Sequence, residues 1–203
     1  MARLTEPEKQ RIRAALSGIA ARTGAELLVV TARACDRYAF PPLLAATLVA
    51  LLAPLPIWWF ALIDDPLTAY AVQLGAFIAV AGLLQWPPLL RLILPHHIRR
   101  AHAHRLAHDL FHRFMMAGAR KNGAVLLFVA DFERHVEVLA DHRVHGEVAD
   151  GTWARIVAAF TAEIGSGAAG AILAAVEAIG AELTRHLPRA EGEPPAHEHL
   201  IEL

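Results

Sequence analysis

The sequence predicts an α/β domain, a small helix-covered sheet, split by an inserted pair of transmembrane helices. Three observations predict it. Two uncharged runs, Pro41 to Ile63 and Pro66 to Leu90, follow one another with only Asp64-Asp65 between them. Two short apolar runs, Glu26 to Thr31 and Ala124 to Ala130, have the length and β-branched content of buried strands. Amphipathic helical patterns flank both strands.

The two uncharged runs set the organisation. At a rise of about 1.5 Å per residue the first spans roughly 34 Å, against a hydrocarbon core of roughly 30 Å. Pro54 and Pro56 would break a helix in water, but a membrane helix tolerates them where neighbours or water satisfy the freed carbonyls. Trp58, Trp59 and Trp86 stand near run ends, as interfacial aromatics do. Asp64-Asp65-Pro66 is a turn. Buried helices of a soluble core are the competing reading, and uncharged runs of this length favour spans. A cleaved signal peptide fits badly, because a polar amphipathic segment precedes the first run. Arg33 and Arg37 precede the pair, Arg91, Arg99 and Arg100 follow it, and the turn has no Lys or Arg. The positive-inside rule then predicts a multi-pass inner-membrane protein with both termini cytoplasmic. The expected organisation is a domain in two parts, 1–40 and 95–188, around a hairpin at 41–94 (spans 41–63 and 66–90), with a tail at 189–203.

The rest of the chain, read in order, supplies the domain. Thr5 to Arg22 is an amphipathic helix with Thr5 and Glu8 spaced as a capping box, Pro7 in the first turn, and Gly24 as its stop. Glu26 to Thr31 is the first strand. After Pro95, His96 to Gly118 is a soluble helix whose Ala103, Leu106, Ala107, Leu110, Phe111 and Phe114 share one face. Lys121-Asn122-Gly123 turns the chain into the strand Ala124 to Ala130, an unbroken apolar run expected to be buried on both faces. Asp131 to Arg134 connects tightly to His135 to Asp141, which returns antiparallel with Val136 and Val138 on one side and Glu137 on the other. Arg143 to Gly151 reads as a loop. Asp150 is placed to cap a helix to about Ile164, and Gly165-Ser166-Gly167 separates it from a last helix, Ala168 to Leu187. The tail is mostly extended, with Leu200-Ile201-Glu202-Leu203 apolar enough to dock back.

Composition narrows the function classes. A formal net charge of −1 provides no global field to recruit nucleic acid, so no nucleic-acid partner is expected. The lone Cys35 excludes an intramolecular disulfide framework and suits a reducing compartment. No Cys-x-x-Cys, nucleophile elbow or phosphate loop is present. The expected partners are the lipid bilayer, and membrane proteins or a second copy through the hairpin. Gly75, Ala79 and Gly82 have the small-residue spacing of packed membrane helices, against the first span or another protomer.

Two sets of residues are candidates for chemistry. His104, His108 and His112 recur every four residues on one helix, with His97 in the same stripe, and two imidazoles at i, i+4 can chelate one transition metal. A solvated or headgroup-facing stripe is the plainer reading, and a pH-responsive surface is a further one. Asp36, Asp131, Glu133, Asp141 and Asp150 stand near strand ends, where open α/β sheets collect ligands. Asp36 and Asp131 are brought together if the first two strands are parallel, whereas Asp141 ends an antiparallel strand and should face the opposite edge. Hard oxygen donors such as Asp36, Asp131 and Asp141 suit Ca²⁺ or Mg²⁺. Arg120, Arg134 and Arg143 are candidate phosphate clamps. The plainer reading makes these carboxylates turn and cap residues.

Several stretches resemble the TPM-domain family, in particular its bacterial branch with a membrane hairpin inserted in the domain. Thr23-Gly24-Ala25-Glu26 with Leu27 to Val30 looks like the family's helix end and first strand. Arg120 to Val129 resembles its central strand, and Glu133 to Asp141 its hairpin return. Gly165 to Pro188 resembles its closing helices, and the Leu200-Ile201-Glu202-Leu203 tail is similar. The resemblance implies a TPM-like α/β sandwich. It also implies roles ranging from membrane-protein assembly or repair to acid phosphatase activity or divalent-metal binding. The resulting expectation is a two-span membrane protein whose TPM-like domain is a binding or assembly module. A metal-assisted phosphatase of the TPM type is the alternative, and a metal- or pH-responsive histidine module the third.

Overall fold

The computed structural model describes residues 4–36, 38–59, 65–117, 123–165, 167–190 and 199–203. Arg37, Asp64, Arg120, the Lys121-Asn122 part of the turn, Ser166 and tail residues 191–198 lie outside the described residues, as does the side chain of Trp58. In chain order the elements are α1 (Glu6–Ala20), β1 (Glu26–Ala32), α2 (Phe40–Leu52), α3 (Pro54–Trp59), α4 (Pro66–Leu84), α5 (Pro87–Ile93), α6 (His96–Ala117), β2 (Ala124–Ala130), β3 (His135–Ala140), α7 (His142–Glu147), α8 (Thr152–Glu163), α9 (Ala168–His186) and β4 (His199–Glu202). They divide into two compact units, Asp36–Arg99 and Met1–Cys35 with Arg100–Leu203.

The larger unit is a four-stranded sheet in the order β3-β2-β1-β4. β1 is parallel to β2 and β4, and β3 returns antiparallel to β2. Every residue of β2 is buried, as a central strand covered on both faces requires. The two-residue period of a strand sorts the side chains into two cores. Leu27, Val29, Val125 and Leu127 pack with Ile12 and Leu16 of α1, Phe160 of α8 and Val176 and Ile179 of α9. Leu28, Val30, Leu126 and Phe128 point the other way, onto Ala103 and Ala107 of α6, with Leu106, Leu110, Phe111 and Phe114 closing the edges. The apolar face expected of α6 is therefore the face that packs.

Three features of this unit differ from expectation. The stretch 143–151 holds a helix, α7, because the Asp141 carboxylate accepts from the Val144 N–H and starts it. Asp150 does not cap α8; Gly151, with φ 81°, precedes it instead. The apolar end of the tail does dock back, as an edge strand, β4, paired to β1 from Leu28↔His199 to Thr31↔Glu202. At the start of α1, the Glu8 carboxylate accepts from both the N–H and the hydroxyl of Thr5, at 2.6 and 2.7 Å. Gly24 is not the left-handed stop expected there; its N–H donates to the Leu187 carbonyl. Thr23 is buried beside it and its hydroxyl donates to the same carbonyl at 2.7 Å, tying the α1 end to the α9 end.

Close packing of α1 on α9 depends on Gly180. A Cβ there would overlap Cδ1 and Cγ1 of Ile19, a side chain only 3% exposed. Alanine gains about 1 kcal/mol over glycine in helix propensity. Overpacking a filled core costs about 1–3 kcal/mol, and three Ile19 carbons crowd the site. Gly180→Ala is therefore expected to destabilise the unit, by about 1 kcal/mol net. A higher urea midpoint in the variant would contradict this packing.

In the smaller unit, both apolar runs are divided at prolines. The first forms α2 and α3 rather than one helix, with the break at Ala53-Pro54, because Pro54 has no N–H to continue the ladder. Ala53 keeps right-handed helical angles, φ −56° and ψ −37°, so the chain passes from α2 into α3 without reversing. The second run ends its first helix at Leu84 rather than Leu90. Trp86, preceding Pro87, is driven to ψ 124°, and α5 starts afresh beyond it. Asp65 caps α4, its carboxylate accepting from the N–H and hydroxyl of Thr68 at 2.8 and 2.6 Å. Ala46, Ala50 and Ala81 are buried where α2 and α4 pack together. A Cβ at Gly75 or Gly82 would meet nothing, and Ala79 is exposed, so the small-residue stripe is not buried against α2. α4 is, among the described residues, the helix long and apolar enough to cross a membrane, and only 6% of its apolar window is buried.

Candidate functional site

Strand register creates the first site. Glu137 pairs with Phe128 across the β2–β3 ladder, and directly paired residues share a sheet face. Phe128 faces α6, so Glu137 faces α6 too, but from the edge strand. On α6, Ala103 and Ala107 touch the sheet, which places His104 and His108, one residue further round, at the helix rim. The Glu137 carboxylate meets His104 Nδ1 at 2.9 Å (Oε1) and 3.0 Å (Oε2). His108 Nε2 lies 3.9 Å from the same Oε1. His135, two residues earlier on β3, brings Nε2 to 3.1 Å from Oε2. The two helix imidazoles stack edge to face, with centroids 4.2 Å apart.

Of the histidines expected to act together, the structure therefore joins His104 and His108. His112, a turn further on, is not in the cluster, and His97 belongs to the smaller unit. Glu137 and His135 were not among the residues singled out from the sequence.

The electrostatics of the cluster follow from its burial. Partial burial pushes the Glu137 carboxyl up, but hydrogen bonds from His135 and His104, and their charge, outweigh it and hold the group below its ordinary value of 4.5. A carboxyl depressed in the folded state contributes stability above its unfolded pKa and loses it as pH falls through the folded value. Glu137→Gln should thus lower stability near neutrality, with the difference from the parent shrinking as pH drops below about 4.5. Urea midpoints measured across that range check this; a difference that does not shrink would contradict it.

A second site lies where β1, β2 and β4 all end. A cavity of about 240 Å³ opens there, lined by Arg33, Asp131, Thr31, Ile172 and Glu202 among others. Open α/β sheets bind ligands at such carboxyl ends. Beyond the strand ends, the Asp131 N–H donates to the Ala32 carbonyl and the Phe132 N–H to the Arg33 carbonyl.

Asp131 and Asp141 are not gathered into one site. Asp131 follows the last residue of β2, while the Asp141 N–H donates to the carbonyl of Ala124, the first. A seven-residue strand separates them, about 20 Å or more. Asp141 is a helix cap, and Asp36 belongs to the smaller unit. Glu133 is 1% exposed and accepts from the Cys35 N–H at 2.8 Å, pinning the chain that leaves β1. Arg134 occupies a left-handed turn position, φ 51°, at the Asp131 end, and Arg143 lies in α7 at the Asp141 end. The two arginines thus flank opposite ends of β3 and do not form one phosphate clamp.

No curated protein matches this chain. Among solved structures it is similar to the NMR structure of the BA42 protein from the psychrophilic bacterium Bizionia argentinensis, with 14% identity, a TM-score of 0.60, and coverage of 98% of this chain and 95% of that one. That likeness is one of fold, the mixed α/β sheet with helices around it. Residues 93–182, from the end of α5 through most of α9, match the TPM domain.

Proposed function

We propose that this protein is anchored in a membrane by the hairpin of its smaller unit, and that its TPM-like domain is a binding or assembly module. The observation that carries the reading is α4, a nineteen-residue apolar helix that packs on α2 yet has only 6% of its apolar window buried. Leu67, Tyr70, Leu74, Ile78 and Leu83 are all exposed along it. So many exposed apolar side chains on one helix mark a partner or membrane surface. The α2–α3 segment, Phe40 to Trp59, supplies the second pass, bent at Pro54. At about 1.5 Å per residue this segment reaches roughly 30 Å, the thickness of the hydrocarbon core. Trp59 and Trp86 are exposed near the ends of the two passes, suited to the headgroup level. Arginines flank the pair and none stands at Asp65, which supports a cytoplasmic domain and termini by the positive-inside rule. A reporter fused after Leu203 is expected to be active in the cytoplasm; activity confined to the far side of the membrane would refute that orientation.

The strand-end cavity with Asp131 and Arg33 favours a second reading, a metal-assisted phosphatase of the TPM type. The two are separated by assaying the detergent-solubilised chain on a small phosphoester with Ca²⁺ or Mg²⁺. The binding-module reading predicts no turnover above the protein-free rate. Turnover that disappears in Asp131→Asn would replace it with the enzyme.

A further inference from the structure

We infer that His104, His108 and Glu137 form a binding site for a divalent transition cation of the Zn²⁺ type on the α6–β3 edge, with His135 as its positioning residue. The inference rests on the larger unit alone and is independent of how the chain meets the membrane.

The donor set and its spacing carry the argument. One atom from each of the three side chains lies within 4.8 Å of the other two. Tetrahedral zinc, with bonds of about 2.0–2.1 Å, holds its donors about 3.3–3.4 Å apart. The observed 2.9 Å from His104 Nδ1 to Glu137 Oε1, and 3.9 Å from His108 Nε2 to the same oxygen, bracket that spacing. All three donor atoms already lie within 4.8 Å of one another, close enough for side-chain rotation to turn them onto one cation. Two histidines one helical turn apart present both rings to one point, and a carboxylate from a neighbouring strand completes three protein ligands. Two imidazole nitrogens select against Ca²⁺ and Mg²⁺, which take oxygen.

The surroundings match what a ligating carboxylate needs. Metal-bound carboxylates are themselves hydrogen-bonded, and that contact fixes which oxygen faces the cation. Here His135 Nε2 lies 3.1 Å from Oε2, leaving Oε1 as the oxygen shared by His104 and His108. The His135 side chain is only 14% exposed, so its ring is held in place. His104 and His108 are about half exposed, at 54% and 50%, so solvent reaches the centre and a water can fill the fourth position. Bound metal would link the rim of α6 to the edge strand β3.

The test is a titration of the full chain in detergent with Zn²⁺ alone, together with X-ray absorption on the one-equivalent complex. One equivalent should bind, with two imidazoles and one carboxylate oxygen in the first coordination sphere. His104→Gln, His108→Gln and Glu137→Gln should each weaken binding at least about tenfold, and His135→Gln by about 10–100-fold, as outer-sphere partners do. His112→Gln, one turn beyond the site, should leave affinity within about twofold. Equal losses in His112→Gln and His104→Gln would assign the metal to the helix stripe and overturn the inference. So would unchanged affinity in Glu137→Gln, or an absorption spectrum of the parent complex without imidazole scattering, a readout that needs no variant to fold.

Discussion

Phe128→Ala is expected to cost the sheet unit about 3–5 kcal/mol, the largest loss any single truncation here should produce. Phe128 is fully buried at the middle of β2, between β1 and β3. Its ring belongs to the core under α6, where Ala103 and Ala107 are buried and Leu106, Leu110, Phe111 and Phe114 pack around them. The two alanines have nothing to extend into a hole left beside them. A cavity left in so filled a core carries the cost of an aromatic truncation, about 3–5 kcal/mol. The measurement is hydrogen exchange of the β2 amides, because central strands open only with the whole unit. At about 1.4 kcal/mol per decade, protection should fall by roughly two to three and a half orders of magnitude. A fall of less than one decade would mean that α6 does not rest on Phe128 as described.

Leu74→Arg is expected to have the second large effect, and it acts on the anchor rather than on the domain. Leu74 lies near the centre of α4 and is 47% exposed. For a helix exposed to water such a change is worth no more than about 0.5 kcal/mol. For a helix in hydrocarbon, an arginine at the centre disfavours insertion by about 2.5–3.5 kcal/mol, on the order of a hundredfold. The membrane-bound fraction of the variant, followed by fractionation of cells expressing it, separates the two environments. A variant that stays as fully membrane-bound as its parent would contradict insertion of α4. Folding of the larger unit, read by the same β2 exchange, should be unchanged, since Leu74 belongs to the other unit.

Much of the sheet was legible because its strands are unbroken apolar runs between turn residues. Ala124 to Ala130 has no polar residue to compete with burial, and the α6 face announces itself at helical spacing. β4 was harder to see: four residues are too short for a period, and only pairing with β1 makes them a strand. Asp141 is the cap that the plainer reading of the strand-end carboxylates allowed, three residues before Val144. The histidine stripe was legible on the helix, but Glu137 and His135 were not. Their role depends on the register that sets Glu137 opposite Phe128, a long-range fact that no local spacing encodes. The apolar runs were legible by composition, yet their helices end where Pro54 and Pro87 dictate, inside the runs rather than at their edges.

Extraction of native membranes at alkaline pH tests the anchoring most directly. Carbonate strips proteins held by charge or by partners and leaves those threaded through the hydrocarbon. The account predicts that the chain remains with the membrane pellet and is released only by detergent. Recovery of the folded chain in the carbonate supernatant would mean that α2 and α4 cover some other surface, and the membrane reading would fall.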